Sequence, residues 1–131
     1  MRVLSAGAFY FAVTFVAAFV FGTVRTLVLE PWLGETWAVA CEAPFLLAVM
    51  IVAARSVIPR VKPPTHVASL LGVGAVGLVL QEIAELALIY ASGETVADHI
   101  AYLQTPAGMI YLAMLVGFLL TPLVLFRGEK L

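Results

Sequence analysis

The chain has 131 residues, 63% hydrophobic and 11% charged, with a mean hydropathy of +1.10 and a net charge of −1. A soluble domain carries about 25% charged and about 45–50% apolar residues, so this composition excludes an ordinary soluble fold. It predicts an integral membrane protein with no room for a separate soluble domain, and the single cysteine, Cys41, excludes an internal disulfide and a multi-cysteine metal site.

The first apolar run, from Val3 to Val24, holds 22 residues without a charge and continues past Arg25 to Leu29. Spanning about 30 Å of hydrocarbon takes about 20 helical residues. Only Arg2 precedes the run, which is too long for a signal peptide and lacks a small-x-small cleavage site, so a retained transmembrane helix is expected. Residues 30–36 carry Pro31, Gly34 and the interfacial Trp32, which predicts a short turn. The second span carries Glu42 and Pro44, and the proline is expected to kink the helix or loosen one backbone bond. Residues 55–66 hold Arg55, Arg60, Lys62 and three prolines, which predicts a basic loop. The third span begins at His66 or Val67. The link 93–105 is polar, then mildly amphipathic, as a short interfacial helix would be. Pro106 opens the fourth span as a first-turn proline. The predicted spans, about 4–29, 36–55, 66–92 and 105–127, make one all-α domain: an integral membrane bundle of four transmembrane helices.

Arg2, Arg55, Arg60, Lys62, Arg127 and Lys130 fall on one predicted side and Arg25 alone on the other, while Glu30, Glu35, Glu94 and Asp98 fall in the opposite links. The positive-inside rule therefore puts both termini in the cytoplasm.

The stretch that organises the rest is the later part of the third span, residues 72–93, where Gln81, Glu82 and Glu85 share one helical face. A charge at membrane depth costs about 2.5–3.5 kcal/mol on insertion scales, so these groups need partners. At 1.5 Å per residue, Arg25 and Glu42 lie about 9 Å below the outer interface, Glu85 about 12 Å and Glu82 about 16 Å. Arg25 is expected to pair with Glu42 or Glu85. Three carboxylates cannot all be ionised beside one guanidinium, and Glu82, the deepest, is the candidate for the neutral one. Such a network either fixes helix register or exchanges protons or a cation.

Gly72, Gly74 and Gly77 match G-x-G-x-x-G, but a dinucleotide site needs a preceding strand. In mid-span the pattern reads as close helix packing. Thr14, Ala18, Gly22 and Arg25 form a small-residue face suited to a second helix–helix contact. Phe11, Phe15 and Phe19 form a stripe that packs or faces lipid, with a pigment or quinone wall as the alternative. His66 and His99 fall on opposite sides and cannot share a metal; His99 reads as a solvated loop residue, with an outer-face metal contact beside Asp98 and Glu94 as the alternative, and Cys41 as an inert buried thiol. No nucleophile–base pattern, phosphate loop or metal motif occurs. No cofactor, metal or nucleic acid is therefore expected, and topology alone explains the basic link.

The motifs Gly22-x-x-Arg25, Pro31-x-x-Gly34, Glu42-x-Pro44 and Tyr102-x-x-Thr105-Pro106-Ala107-Gly108 resemble those of a group of small four-helix inner-membrane proteins of proteobacteria. The resemblance runs along most of the chain. It implies a multi-pass protein of the bacterial inner membrane and no activity. The expected function is that of an accessory or interaction protein, in a larger assembly or self-associated, with lipid and other membrane subunits as partners. Proton or cation translocation through Glu42, Glu82 and Glu85 is the alternative, and an enzyme is not expected.

Overall fold

The structure, a computed structural model, describes residues 2–131. Helix α1 (Arg2–Val24) runs through a π-helical turn (Arg25–Leu29) into the short α2 (Glu30–Leu33). Then come α3 (Glu35–Val61), α4 (Val67–Ala91), α5 (Val96–Leu103) and α6 (Pro106–Phe126). No strand occurs among the described residues. Four rods are long and apolar enough to cross a membrane: residues 2–33 taken together, α3, α4 and α6.

The four rods form a closed ring. α1 packs against α3 and α4, α6 packs against the same two, and α1 and α6 stand at opposite corners. Both chain ends meet the α3–α4 link at one end of the bundle. There the Arg2 guanidinium donates to the Lys62 carbonyl at 3.3 Å, and the Gly128 amide donates to that of Thr65 at 3.1 Å.

Two predicted turns are helical instead. α3 runs on to Val61 rather than ending near residue 55, because Val57 and Ile58 are buried in the core. Pro59 lies near the helix end, where the only bond it removes is to the carbonyl of exposed Arg55. Lys62, at φ +57°, then caps the helix with its amide on the Ile58 carbonyl. Likewise the link 30–36 shrinks to one residue. The Glu30 amide reaches back five residues to the Arg25 carbonyl, a wider turn placed just before the amide-less Pro31. Gly34, at φ +80°, makes the break in a conformation that favours glycine. α3 also continues through Pro44, which lies exposed.

The core fills the half of the bundle nearer the termini. Ala6, Tyr10, Met50, Ala53, Ala54, Ile58, Leu70, Val73, Phe118 and Phe126 are buried there together. Glycines let the backbones approach. A Cβ on Gly7 would stand 2.6 Å from Val76 Cβ, and one on Gly74 would collide with the Leu119 carbonyl oxygen. One on Gly77 would stand 2.9 Å from the Phe118 ring. Gly74 and Gly77 thus take the packing role expected of them. Gly72 is half-buried and meets only Val3, at 3.0 Å.

Phe118 stacks on Tyr10 across the ring diagonal, centroids 4.4 Å apart and planes 8° apart. Pro122 has no amide for the Phe118 carbonyl four residues back. The Tyr10 hydroxyl supplies the missing donor at 2.7 Å.

Candidate functional site

Above the Tyr10–Phe118 layer the bundle opens. A chamber of about 870 Å³ lies toward the Gly34 end, lined by α1, the π-helical turn and residues of α3, α4, α5 and α6. A smaller space of about 80 Å³ lies beside it at the bundle centre, bounded by Thr14, Met50, Met114 and Phe118. Arg25, Glu42, Gln81, Tyr102 and Tyr111 border both.

The Arg25–Glu42 pair is the charged centre. The guanidinium Nη1 donates to Glu42 Oε2 at 2.8 Å, and Nε lies 3.5 Å from Glu30 Oε1. Glu42 is 6% exposed, so its charge has little water and depends on this cation. Of the two carboxylates expected to pair with Arg25, the structure selects Glu42. Glu30, which the sequence places in an outer link, is the second acid on the cation. The π-helical turn explains the second contact, because it begins at Arg25 and brings Glu30 back over it. Nε still has no hydrogen-bond acceptor.

Gln81 and Glu85 line the chamber as their shared face requires. Glu85 forms no ion pair within 4 Å among the described residues. The Tyr111 hydroxyl lies beside Gln81 and Glu85 without forming a bond to either. Glu82 corrects the expectation of a single convergent cluster. It lies off the chamber lining, half-buried, with Oε1 enclosed and unpartnered. A step of one residue turns a helical side chain about 100°, far enough to take Glu82 from the face of Gln81.

The Thr14–Ala18–Gly22–Arg25 face also departs from expectation. A Cβ on Gly22 would have nothing within 4 Å. Ala18, Gly22 and Arg25 line the chamber, and Thr14 and Ala18 line the space beside it. Their smallness makes room for a void, not for a neighbouring helix. Thr14 is 5% exposed, and its hydroxyl has no partner. Of the phenylalanine stripe, Phe15 and Phe19 edge the chamber, with tilted ring pairs running from Phe11 to Phe19.

α5 closes over this end. Its capping box is complete: the Thr95 amide donates to Asp98 Oδ2 at 3.0 Å and the Asp98 amide to Thr95 Oγ1 at 3.1 Å. The Thr95 amide first, and the Thr95 side chain with it, hold the Asp98 carboxyl below the usual carboxylate range. Val96 and Ile100 are exposed, whereas His99 and Tyr102 are half-buried and line the chamber. The helix therefore turns its polar and aromatic face inward. Burial pushes the Tyr102 hydroxyl above the usual tyrosine range. α5 seats tightly on α6, because a Cβ on Gly108 would collide with the Tyr102 carbonyl oxygen. Thr105 caps α6 by accepting from the Gly108 amide at 3.1 Å.

His99 is thus a chamber residue, its ring 6.4 Å from that of Tyr111. Tyr102 and Tyr111 are chamber residues too, although no sequence motif aims either of them inward. Cys41, expected to be buried, is exposed. Among the described residues no group of three or more His, Cys, Asp or Glu could hold a metal. The site offers charge, hydrogen-bond donors and aromatic walls, which are means of binding and orienting. No family model matches the chain, and neither a curated protein nor a solved structure matches it significantly.

Proposed function

We propose that the chain is a small, non-enzymatic protein of a bacterial inner membrane that holds a small molecule in this chamber. It acts as an accessory component, within a larger assembly or self-associated. The observation that carries the reading is the space itself. A network that only fixes helix register fills its own volume, whereas this one surrounds about 870 Å³, inside the usual range for small-molecule sites of about 300–1,000 Å³. The lysine and arginine distribution supports cytoplasmic termini, which turns the chamber to the outer side. Exposed apolar side chains such as Val16, Val20, Val52, Val79, Ile83 and Val124 leave the outer helix faces to lipid or to neighbouring subunits.

The test is native mass spectrometry of the protein released from mild detergent. A bound small molecule is expected on the wild-type chain and absent from Gly22→Leu, which fills the chamber where nothing lies within 4 Å. Ligand-free wild-type protein would overturn the binding role. Larger subunits carried along with it would identify the assembly.

Proton or cation exchange is the second reading, favoured by Glu82, whose enclosed Oε1 has no partner. A pH-driven flux in liposomes that disappears in Glu82→Gln would support it.

A further inference from the structure

Which ligand the chamber takes follows from its surplus charge and from where it opens. Glu30, Glu35, Glu42, Glu85, Glu94 and Asp98 line it, against one arginine and one histidine. Arg25 is already engaged by Glu42 and Glu30, so it offers little to an anion. Glu85 stands on the wall without an ion-pair partner within 4 Å. Excess negative charge between low-dielectric walls attracts cations. The acids are too dispersed to cage a metal, since no three of them group as ligands. Aromatic rings take the place of further ligands: Phe15, Phe19, Tyr102 and Tyr111 all face the space. Ring faces attract an ammonium group and also pack hydrocarbon. Unpartnered hydroxyls border the site: Tyr111, on the wall of both the chamber and the central space, has its enclosed hydroxyl unbonded, and Thr14, 5% exposed, has its Oγ1 unbonded on the adjoining central space.

The opening adds the second half of the ligand. Phe19 of α1 and Leu88 of α4 line the chamber yet are 57% and 44% exposed. The chamber therefore opens through the side of the bundle between α1 and α4, at the depth of the apolar surface, as well as at its polar rim, where Glu35, Glu94 and Asp98 are exposed. The contact that pins these helices, Gly7 against Val76, lies nearer the termini. A molecule entering sideways has to tolerate hydrocarbon.

We infer that the chamber binds an amphipathic organic ammonium, its protonated amine held by Glu85 among the aromatic rings and its tail leaving between Phe19 and Leu88 toward lipid. The inference rests on the chamber being a binding site, as proposed above. The same ammonium chemistry is offered by a free alkylamine and by the headgroup of an ethanolamine lipid.

Octylammonium, octanol and octanoate are titrated by calorimetry against the protein in phosphatidylcholine nanodiscs, with empty discs subtracted. Saturable octylammonium binding is expected, weakened at least tenfold in Glu85→Gln and lost in Gly22→Leu. Glu82→Gln, off the chamber lining, retains it. Thermal melts of the three variants show whether they fold, and octanol binding serves as the readout for any variant with a lowered melting point. Saturable binding of octanol or octanoate but not of octylammonium would overturn the ammonium inference and leave the chamber reading standing. Saturable binding of none of the three would overturn both. Discs containing phosphatidylethanolamine separate the two sources: competition with octylammonium assigns the lipid headgroup, and unchanged binding assigns a free amine.

Discussion

The Tyr10 hydroxyl and the Phe118 carbonyl oxygen lie 2.7 Å apart, and that carbonyl is the one Pro122 leaves without an amide partner. The two residues stand on diagonal helices whose backbones do not come into contact. One bond therefore ties the ring of four across its centre. It also resolves a conflict inside α6, where a buried proline would strand a carbonyl in an apolar core. The adjacent Thr121 hydroxyl donates back to the Gly117 carbonyl at 2.6 Å, so two consecutive carbonyls of this turn accept from hydroxyl donors.

Removing the hydroxyl separates this bond from the ring stacking. Tyr10→Phe keeps the stack and leaves the Phe118 carbonyl buried and unpaired, a loss of about 1–3 kcal/mol. Pro122→Ala restores an amide to the same carbonyl. In that background Tyr10→Phe should cost much less, giving a coupling readable in a double-mutant cycle. Thermal unfolding in detergent measures it, and equal losses in both backgrounds would show that the Tyr10 hydroxyl does not stand in for the amide that Pro122 lacks.

Arg25 is the counter-ion for Glu42 and Glu30. Arg25→Leu leaves Glu42, 6% exposed, without its cation, and a loss of about 3–5 kcal/mol is expected by analogy with buried pairs in soluble proteins. Arg25→Leu combined with Glu42→Leu should recover a large part of it, since both charges then leave together. Melting temperatures of the two single variants and the double variant decide the matter. A single Arg25→Leu variant as stable as wild type would remove the pair from the folding argument.

Four apolar rods, their order and the shared face of Gln81 and Glu85 are legible in the sequence, because span length and helical period leave few alternatives. The Arg25–Glu42 pair is legible for a similar reason: equal depth on consecutive spans narrows the choice of partner. Glu30 escapes that reasoning. Its approach to Arg25 depends on a π-helical turn, and a proline six residues after Arg25 does not by itself announce one. The role of Gly22 is also hidden, since a small residue that lets a helix approach and one that borders a void look the same in sequence. Tyr10 and Pro122 become a pair only once the diagonal of the ring is known.

The glycines give opposite expectations at two sites. Gly74→Ala drives a Cβ into the Leu119 carbonyl oxygen, backbone that can move only by parting α4 from α6. A loss of about 1–3 kcal/mol is expected from such overpacking. Gly22→Ala meets open space and reduces unfolded-chain entropy, so it should be neutral or stabilising by up to about 1 kcal/mol. Unfolding of the two variants side by side tests whether the small-residue face of α1 borders a void. A comparable loss at Gly22 would mean that a helix packs there.

α5 should be the acid-sensitive element of the fold. Asp98 is held below its ordinary value, near 3.8, by the amide and side chain of Thr95. A carboxyl whose native pKa is depressed stabilises the fold above its unfolded value and loses that contribution as pH falls through the native one. The capping box should therefore be intact at pH 5 and above and released in strong acid, below about pH 4. Because the native value is the lower one, release should be complete only below it. Amide hydrogen exchange over residues 96–103, compared between acid and neutral pH after correction for intrinsic rates, should show α5 loosening while α3 and α6 stay protected. Asp98→Asn should remove most of that dependence. Thr95→Ala takes away the hydroxyl that accepts from the Asp98 amide, and α5 should then exchange faster at every pH. Protection in α5 that is independent of pH in the wild-type chain would show that its seat on Gly108, rather than its cap, holds it over the chamber.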